Sequence, residues 1–193
     1  MTGYLVENAG VFANLAGIAA IIAFAALFIF FAGVPVFGPI NDAASVFQML
    51  FLIPVALALH HIFRDSAPTL SLLAVSIAIF AMLVIAVLQS LLVLGLVRFE
   101  QTLRTVLLMG GVVGLWWLLA AYLAFGHPAF PSGLAWTSVL AGASGVLLVI
   151  GFWLGGQQHP LAAAGFLVNA VASPIWAFWL ARLLLSGSLV IPA

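Results

Sequence analysis

Apolar residues in this chain gather into six long runs, with polar residues and helix breakers collected between them. The runs cover about Val11–Ala32, Ala44–Phe63, Leu70–Val97, Leu103–Phe125, Leu134–Leu154 and Leu161–Leu185. A hydrocarbon core about 30 Å thick needs roughly 20 helical residues to cross it, and each run reaches that length. The breaks read GVPVFGPIND, RDSAP, RFEQTLR, GHPAFPSG and GGQQHP, and each holds Pro, Gly or charge. The pattern predicts an all-α fold, a polytopic transmembrane bundle of six helices forming one domain over residues 1–193. The third run, at about 28 residues, is long enough to tilt strongly or to project from the bilayer.

Composition agrees. Hydrophobic residues make up 67% of the 193 and charged residues 4%, whereas soluble domains carry about a quarter charged. A soluble shell cannot be built from this inventory. No basic stretch precedes the first run, so the first span is expected to be retained rather than cleaved. There is no Cys, which removes disulfides, thiolate metal sites, iron–sulfur clusters and Cys-linked lipid anchors. Net charge is zero, and without a basic cluster nucleic acid is not an expected partner. The expected partners are the lipid bilayer and other membrane subunits.

With six spans both termini share one face, here side A; the other is side B. Arg64 and Arg182 fall toward side A, Arg98 and Arg104 toward side B. The rule that basic loops stay cytoplasmic is therefore tied, and orientation is left open. Arg182 lies about one turn inside the last run, where it is expected to snorkel to side A, with Glu7 or Asp65 as the available acids.

Two loops share a motif. Gly33-Val34-Pro35-Val36-Phe37 and Gly126-His127-Pro128-Ala129-Phe130 both read G-x-P-x-F, and Ser-Val follows at Ser45-Val46 and Ser138-Val139. All five matches fall at one offset, 93 residues. A three-helix unit repeated in tandem inserts in opposite senses, so two inverted three-helix repeats are one expectation. The alternative is coincidence among residues common at membrane loops.

Close helix contact in lipid depends on small residues. Gly110 and Gly114 on the fourth run, and Gly142, Gly145, Gly151 and Gly155 on the fifth, fit that role, making the fifth helix the candidate for the most central one. Pro54 and Pro174 interrupt the second and sixth runs; Asn169 and Ser173 stand where they can satisfy the carbonyl freed by Pro174. Trp136 and Trp153 suit the interfacial belt, whereas Trp116, Trp117, Trp176 and Trp179 can also line a cavity.

Candidate chemistry is sparse. His60 and His61 end the second run, and His127 lies in a loop on the same face, giving three imidazoles able to hold a metal, a haem or a chlorophyll-type pigment. The bland alternative is a wetted interfacial cluster. His159 is on side B and cannot join them. Asn14, Gln89, Asn169 and Ser173 are candidates for a polar cavity. No acid or base sits at mid-depth, which argues against proton pumping. The absence of Lys excludes a retinal Schiff base, and no nucleophile elbow is present. No catalytic residue is expected.

The segments FQMLFLIPVALALHHIFR, GLWWLLAAYLAFGHPAF and NAVASPIWAFWLARLLL resemble a bacterial family of six-span membrane proteins of unknown function, in hydropathy, length and Pro/Trp placement. The resemblance implies a small bundle in a bacterial cytoplasmic (inner) membrane and carries no functional residues. The leading expectation is a non-enzymatic membrane protein that binds partners or an apolar ligand, such as a subunit of a complex. A small transporter or channel with inverted repeats, and a haem- or pigment-binding subunit, are the alternatives.

Overall fold

Inward-facing positions recur along each helix in alternating steps of four and three residues. In the computed structural model, which describes residues 2–191 and side chains from Gly3 onward, the long helices are α2 (Ala9–Phe31), α3 (Phe37–Phe63), α4 (Pro68–Val93), α5 (Phe99–Phe125), α6 (Ser132–Gly155) and α7 (Pro160–Leu185). A short helix, α1 (Thr2–Glu7), precedes them. Among the described residues there is no strand. All six long helices are long and apolar enough to cross a bilayer, so this is a multi-pass membrane protein.

On α2 the buried stripe is Ala9, Ala13, Ala16, Ala20 and Ala23, with Gly10 and Gly17 beside it. The exposed residues of the same helix include Val11, Leu15, Ile18, Ile21, Ile22 and Phe28. Size rather than polarity separates the two faces. In lipid, large apolar side chains gain nothing by turning inward, whereas small ones let backbones approach and recover dispersion energy. The four-three step is the spacing of a left-handed, coiled-coil-like seam.

Packing follows chain order. Each helix packs against the next and α7 returns to α2, while across the ring α3 meets α5 at a few residues and Trp176 of α7 meets Trp116 and Trp117 of α5. The six helices thus form a closed circuit. Side A is capped by α1 and by the segment after α7, where Ile191 packs near Val6, Ala9 and Ala58 and Leu189 is buried.

This order bears on the repeat. A circuit that turns one way throughout looks clockwise along α2 and anticlockwise along α5, because these helices run in opposite directions. A two-fold axis in the membrane plane preserves handedness and cannot superpose such halves, so the helix order gives inverted repeats no support. The two G-x-P-x-F loops do share a turn: Phe37 N–H donates to the Val34 carbonyl at 3.2 Å, and Phe130 N–H to the His127 carbonyl at 3.1 Å. They differ at the glycine, which has φ +98° at Gly33 but −86° at Gly126.

Several boundaries differ from the sequence reading. The third span ends at Val93 because Gly95, at φ +67°, turns the chain out of the helix. α3 begins at Phe37, seven residues earlier than its apolar run, since Pro39 is tolerated within a first helical turn. The helix α1 was not anticipated. α6 is not the most central span; α3 is the most buried.

The glycines divide. A Cβ on Gly114 would lie 2.8 Å from the Gly142 carbonyl oxygen, and one on Gly142 would lie 2.6 Å from that of Gly114. Gly145 sits 3.4 Å from the Gly114 Cα by the same measure. These three form the α5–α6 seam. Gly151 meets the Ala162 backbone of α7, and Gly155 meets the His159 ring in the connecting turn at 2.9 Å. Gly110 departs from the expected role, because a Cβ there would meet nothing within 4 Å. Gly165, whose Cβ would approach Ser144 O and Leu148 N at 2.6 Å, is a seam residue that the motif search passed over.

Candidate functional site: an uncharged intramembrane cavity

Gly110 has empty space beside it because it borders a cavity of about 200 Å³ to which all six long helices contribute. The lining residues include Ala23, Phe24 and Leu27 from α2, Asn41, Ser45 and Gln48 from α3, Gln89 from α4, Gly110 and Trp117 from α5, Gly145 from α6 and Asn169 from α7. They come from the side-B halves of α2, α3, α4, α6 and α7, and from the first two-thirds of α5. At 1.5 Å per residue, the α3 wall runs from about one turn below the side-B end to near mid-depth.

Register explains the location. The inward stripe of α3 reads Asn41, Ser45, Gln48, Leu52, Val55, Leu59, Ile62 at steps of four and three. Its first three members are polar and its last four apolar. On α4 the stripe Ser71, Val75, Ala78, Met82, Ile85, Gln89 carries Gln89 inward near the side-B end. The inside of the ring therefore carries its amides near side B, set among apolar neighbours, while the α3 stripe is wholly apolar toward side A.

The floor is aromatic. Trp176 stands edge-on to both Trp116 (centroids 5.9 Å) and Trp117 (5.6 Å), and those two lie 5.7 Å apart. Trp176 Nε1–H donates to Ser138 Oγ at 2.7 Å, fixing α7 to α6. Beneath this layer a separate space of about 10 Å³, enough for one water, lies among Trp116, His60, Ser71 and Phe63.

Asn169 holds the wall together. Its Nδ2 donates to the Ala141 carbonyl at 2.9 Å and to Ser144 Oγ at 3.0 Å, both on α6. The Ser173 hydroxyl donates to the Asn169 carbonyl at 2.9 Å, one residue short of the carbonyl that Pro174 frees. Asn41 Nδ2 donates to the Ala23 carbonyl at 2.9 Å, tying α3 to α2. Two lining groups have no partner: Gln89 Oε1 and Trp117 Nε1. Gln89 is 8% exposed and Trp117 4%. A buried polar atom without a hydrogen bond costs about 1–3 kcal/mol, and both atoms are themselves buried rather than open to the cavity. No lining residue is charged.

The candidate residues sort accordingly. Gln89 and Asn169 reach the cavity together. Ser173 is buried behind Asn169, and Asn14, half-buried on α2, is not among the lining residues. Asn41, Ser45 and Gln48 were missed: Asn41 falls inside a stretch read as a break, although the four-three step connects it to Leu52.

The three imidazoles do share side A, but they do not converge. His60 Nδ1 lies 3.0 Å from Ser71 Oγ. His61 Nδ1 lies 3.1 Å from the Arg64 guanidinium, which also sits 3.7 Å from Asp65. His127 packs edge-on to Phe63 at 5.8 Å with its Nδ1 buried and unpartnered. Among the described residues no group of three His, Asp or Glu is placed to hold a metal, and the space beside His60 admits a water rather than a macrocycle. Arg182 is exposed on the last turn of α7, while Asp65, one of its two expected partners, pairs with Arg64. His159 instead caps α7, its Nδ1 accepting from Leu161 N–H at 3.3 Å.

Comparison with known proteins gives no match to a family model, a curated protein or a solved structure.

Proposed function

We propose that this chain is a non-enzymatic membrane protein that binds a small uncharged molecule inside its helix ring, reached from side B. The observation that carries this reading is the cavity of about 200 Å³, framed by all six long helices and free of charged lining residues. A cavity of about 150 Å³ accepts benzene, so this volume takes a molecule somewhat larger. An ion is disfavoured because nothing in the wall compensates a buried charge. Among the lining groups the Ser45 hydroxyl is the strongest nucleophile, with no acid or base beside it on the wall, which supports binding rather than catalysis. The resemblance to bacterial six-span proteins supports a bacterial cytoplasmic membrane as its setting.

Gly110→Leu tests the reading. The new side chain meets no atom near its Cβ and extends into the cavity, while leucine is a better helix former than glycine by about 1 kcal/mol. The variant is expected to melt at a higher temperature than the wild type and to lose any small molecule that co-purifies with it in mild detergent, read by native mass spectrometry. A variant that gains stability and keeps the same bound molecules would place binding elsewhere and defeat the proposal.

A further inference from the structure

We infer that the cavity takes a lipid-soluble neutral molecule directly from the side-B leaflet, through a portal between α2 and α7 closed by Phe24, Phe28 and Phe166. The inference rests on the reading above, that the cavity is a small-molecule site, and adds the ligand's source and route. Phe24 and Phe166 both line the cavity, and their rings meet edge-on with centroids 5.5 Å apart. Phe166 also meets Phe28, at 5.1 Å. Phe28 is not part of the cavity wall and is 47% exposed on the outside of α2. One aromatic layer thus separates the cavity from the surrounding hydrocarbon. At 1.5 Å per residue, Phe28 and Phe24 stand about 5 and 10 Å inside the side-B end of α2.

The seam around this layer differs from the others in the ring. Each remaining pair of neighbouring helices is joined by a short turn, whereas α2 and α7 are adjacent in space without one. Toward side A the two approach closely: a Cβ on Gly10 would lie 2.8 Å from Leu185 Cγ, and one on Gly17 would lie 2.9 Å from the Phe178 ring. Toward side B the contact passes to the phenylalanines. Asn41 ties α3 to α2 and Asn169 ties α7 to α6, but among the described residues no hydrogen bond joins α2 to α7. An exposed side chain changes rotamer in picoseconds to nanoseconds, so rotation of Phe28 toward lipid frees the space into which Phe166 swings. The three rings offer a passing solute no hydrogen bond. That excludes a hydrated or charged solute and admits one already dissolved in hydrocarbon.

Fluorobenzene in phosphatidylcholine nanodiscs tests the route, with its exchange between lipid and the full-length protein followed by ¹⁹F NMR. The bound signal that Gly110→Leu removes reports the cavity. Phe28→Ala leaves the cavity wall intact and is expected to raise the entry and exit rates together at least fivefold, while Kd stays within about twofold. Phe47→Ala, which truncates a ring on α3 that is 55% exposed and absent from the wall, should keep the wild-type rates. Wild-type rates in Phe28→Ala, or the same acceleration in Phe47→Ala, would place the entrance elsewhere and overturn the portal while the binding cavity stands. A faster exit alone would make Phe28 a contact that holds the ligand, which also overturns the portal. If the wild type shows no bound signal that Gly110→Leu removes, both readings fall. Phe28→Leu, which replaces the ring with a smaller branched chain, carries the same comparison if Phe28→Ala does not fold.

Discussion

Replacing Trp176 by alanine is expected to destabilise the protein by about 3–5 kcal/mol. Trp176 is fully buried and touches Trp116 and Trp117 edge-on, so its removal leaves a hole between three helices. It also leaves Ser138 Oγ without the donor now 2.7 Å away. In lipid the lost term is mainly dispersion and shape complementarity, since hydrocarbon surrounds the protein in either state. Trp176→Phe keeps most of the ring contact and forfeits the hydrogen bond, for a smaller loss of about 1 kcal/mol. Reversible unfolding by SDS in mixed micelles measures both. An alanine variant no less stable than the phenylalanine one would mean that the aromatic floor is not a packed unit.

The second large effect lies in two glycines that look alike in sequence. Gly142→Ala is expected to lose about 1–3 kcal/mol, because its Cβ would stand 2.6 Å from the Gly114 carbonyl oxygen and 2.9 Å from Leu118 N. Both are backbone atoms, so relief requires α5 and α6 to separate along their seam. Gly110→Ala is expected to be neutral or to gain up to about 1 kcal/mol from helix propensity alone. The same unfolding assay compares them. Equal responses would show that the tight α5–α6 approach is not what stabilises the bundle.

Those two glycines mark where sequence reasoning succeeds and where it stops. Six spans were legible because bilayer thickness demands long apolar runs, and no soluble fold tolerates so few charges. The small-xxx-small spacing correctly singled out Gly114, Gly142 and Gly145. It failed at Gly110 because spacing fixes the face of a helix but not what lies opposite, and here a void does. Asn41 was hidden for a related reason: Gly38, Pro39 and Asp42 surround it, and such residues also open helices. The four-three step was available throughout, running from Asn41 through Gln48 to Ile62, and it is the signal that would have gathered the cavity wall. Gln89 and Asn169 stood out as polar groups within apolar runs. Their meeting across the ring was not legible, because that depends on which helices face one another.

A ring closed by α7 against α2, with Val6 of α1 and Ile191 after α7 both packed beside α3, has no intrinsic first helix. Circular permutants are tolerated where termini are close and the cut falls in an exposed loop. Joining the ends through a short flexible linker and opening the chain within residues 94–98 would give the order α5, α6, α7, α1, α2, α3, α4. The new termini would then emerge on side B, so synthesis would start from the other membrane face and deliver the helices in a different order. If neighbour packing alone dictates assembly, this rewired chain should build the same ring with the same melting behaviour. The direction in which the polypeptide is first threaded into the bilayer would then be separable from the architecture it reaches.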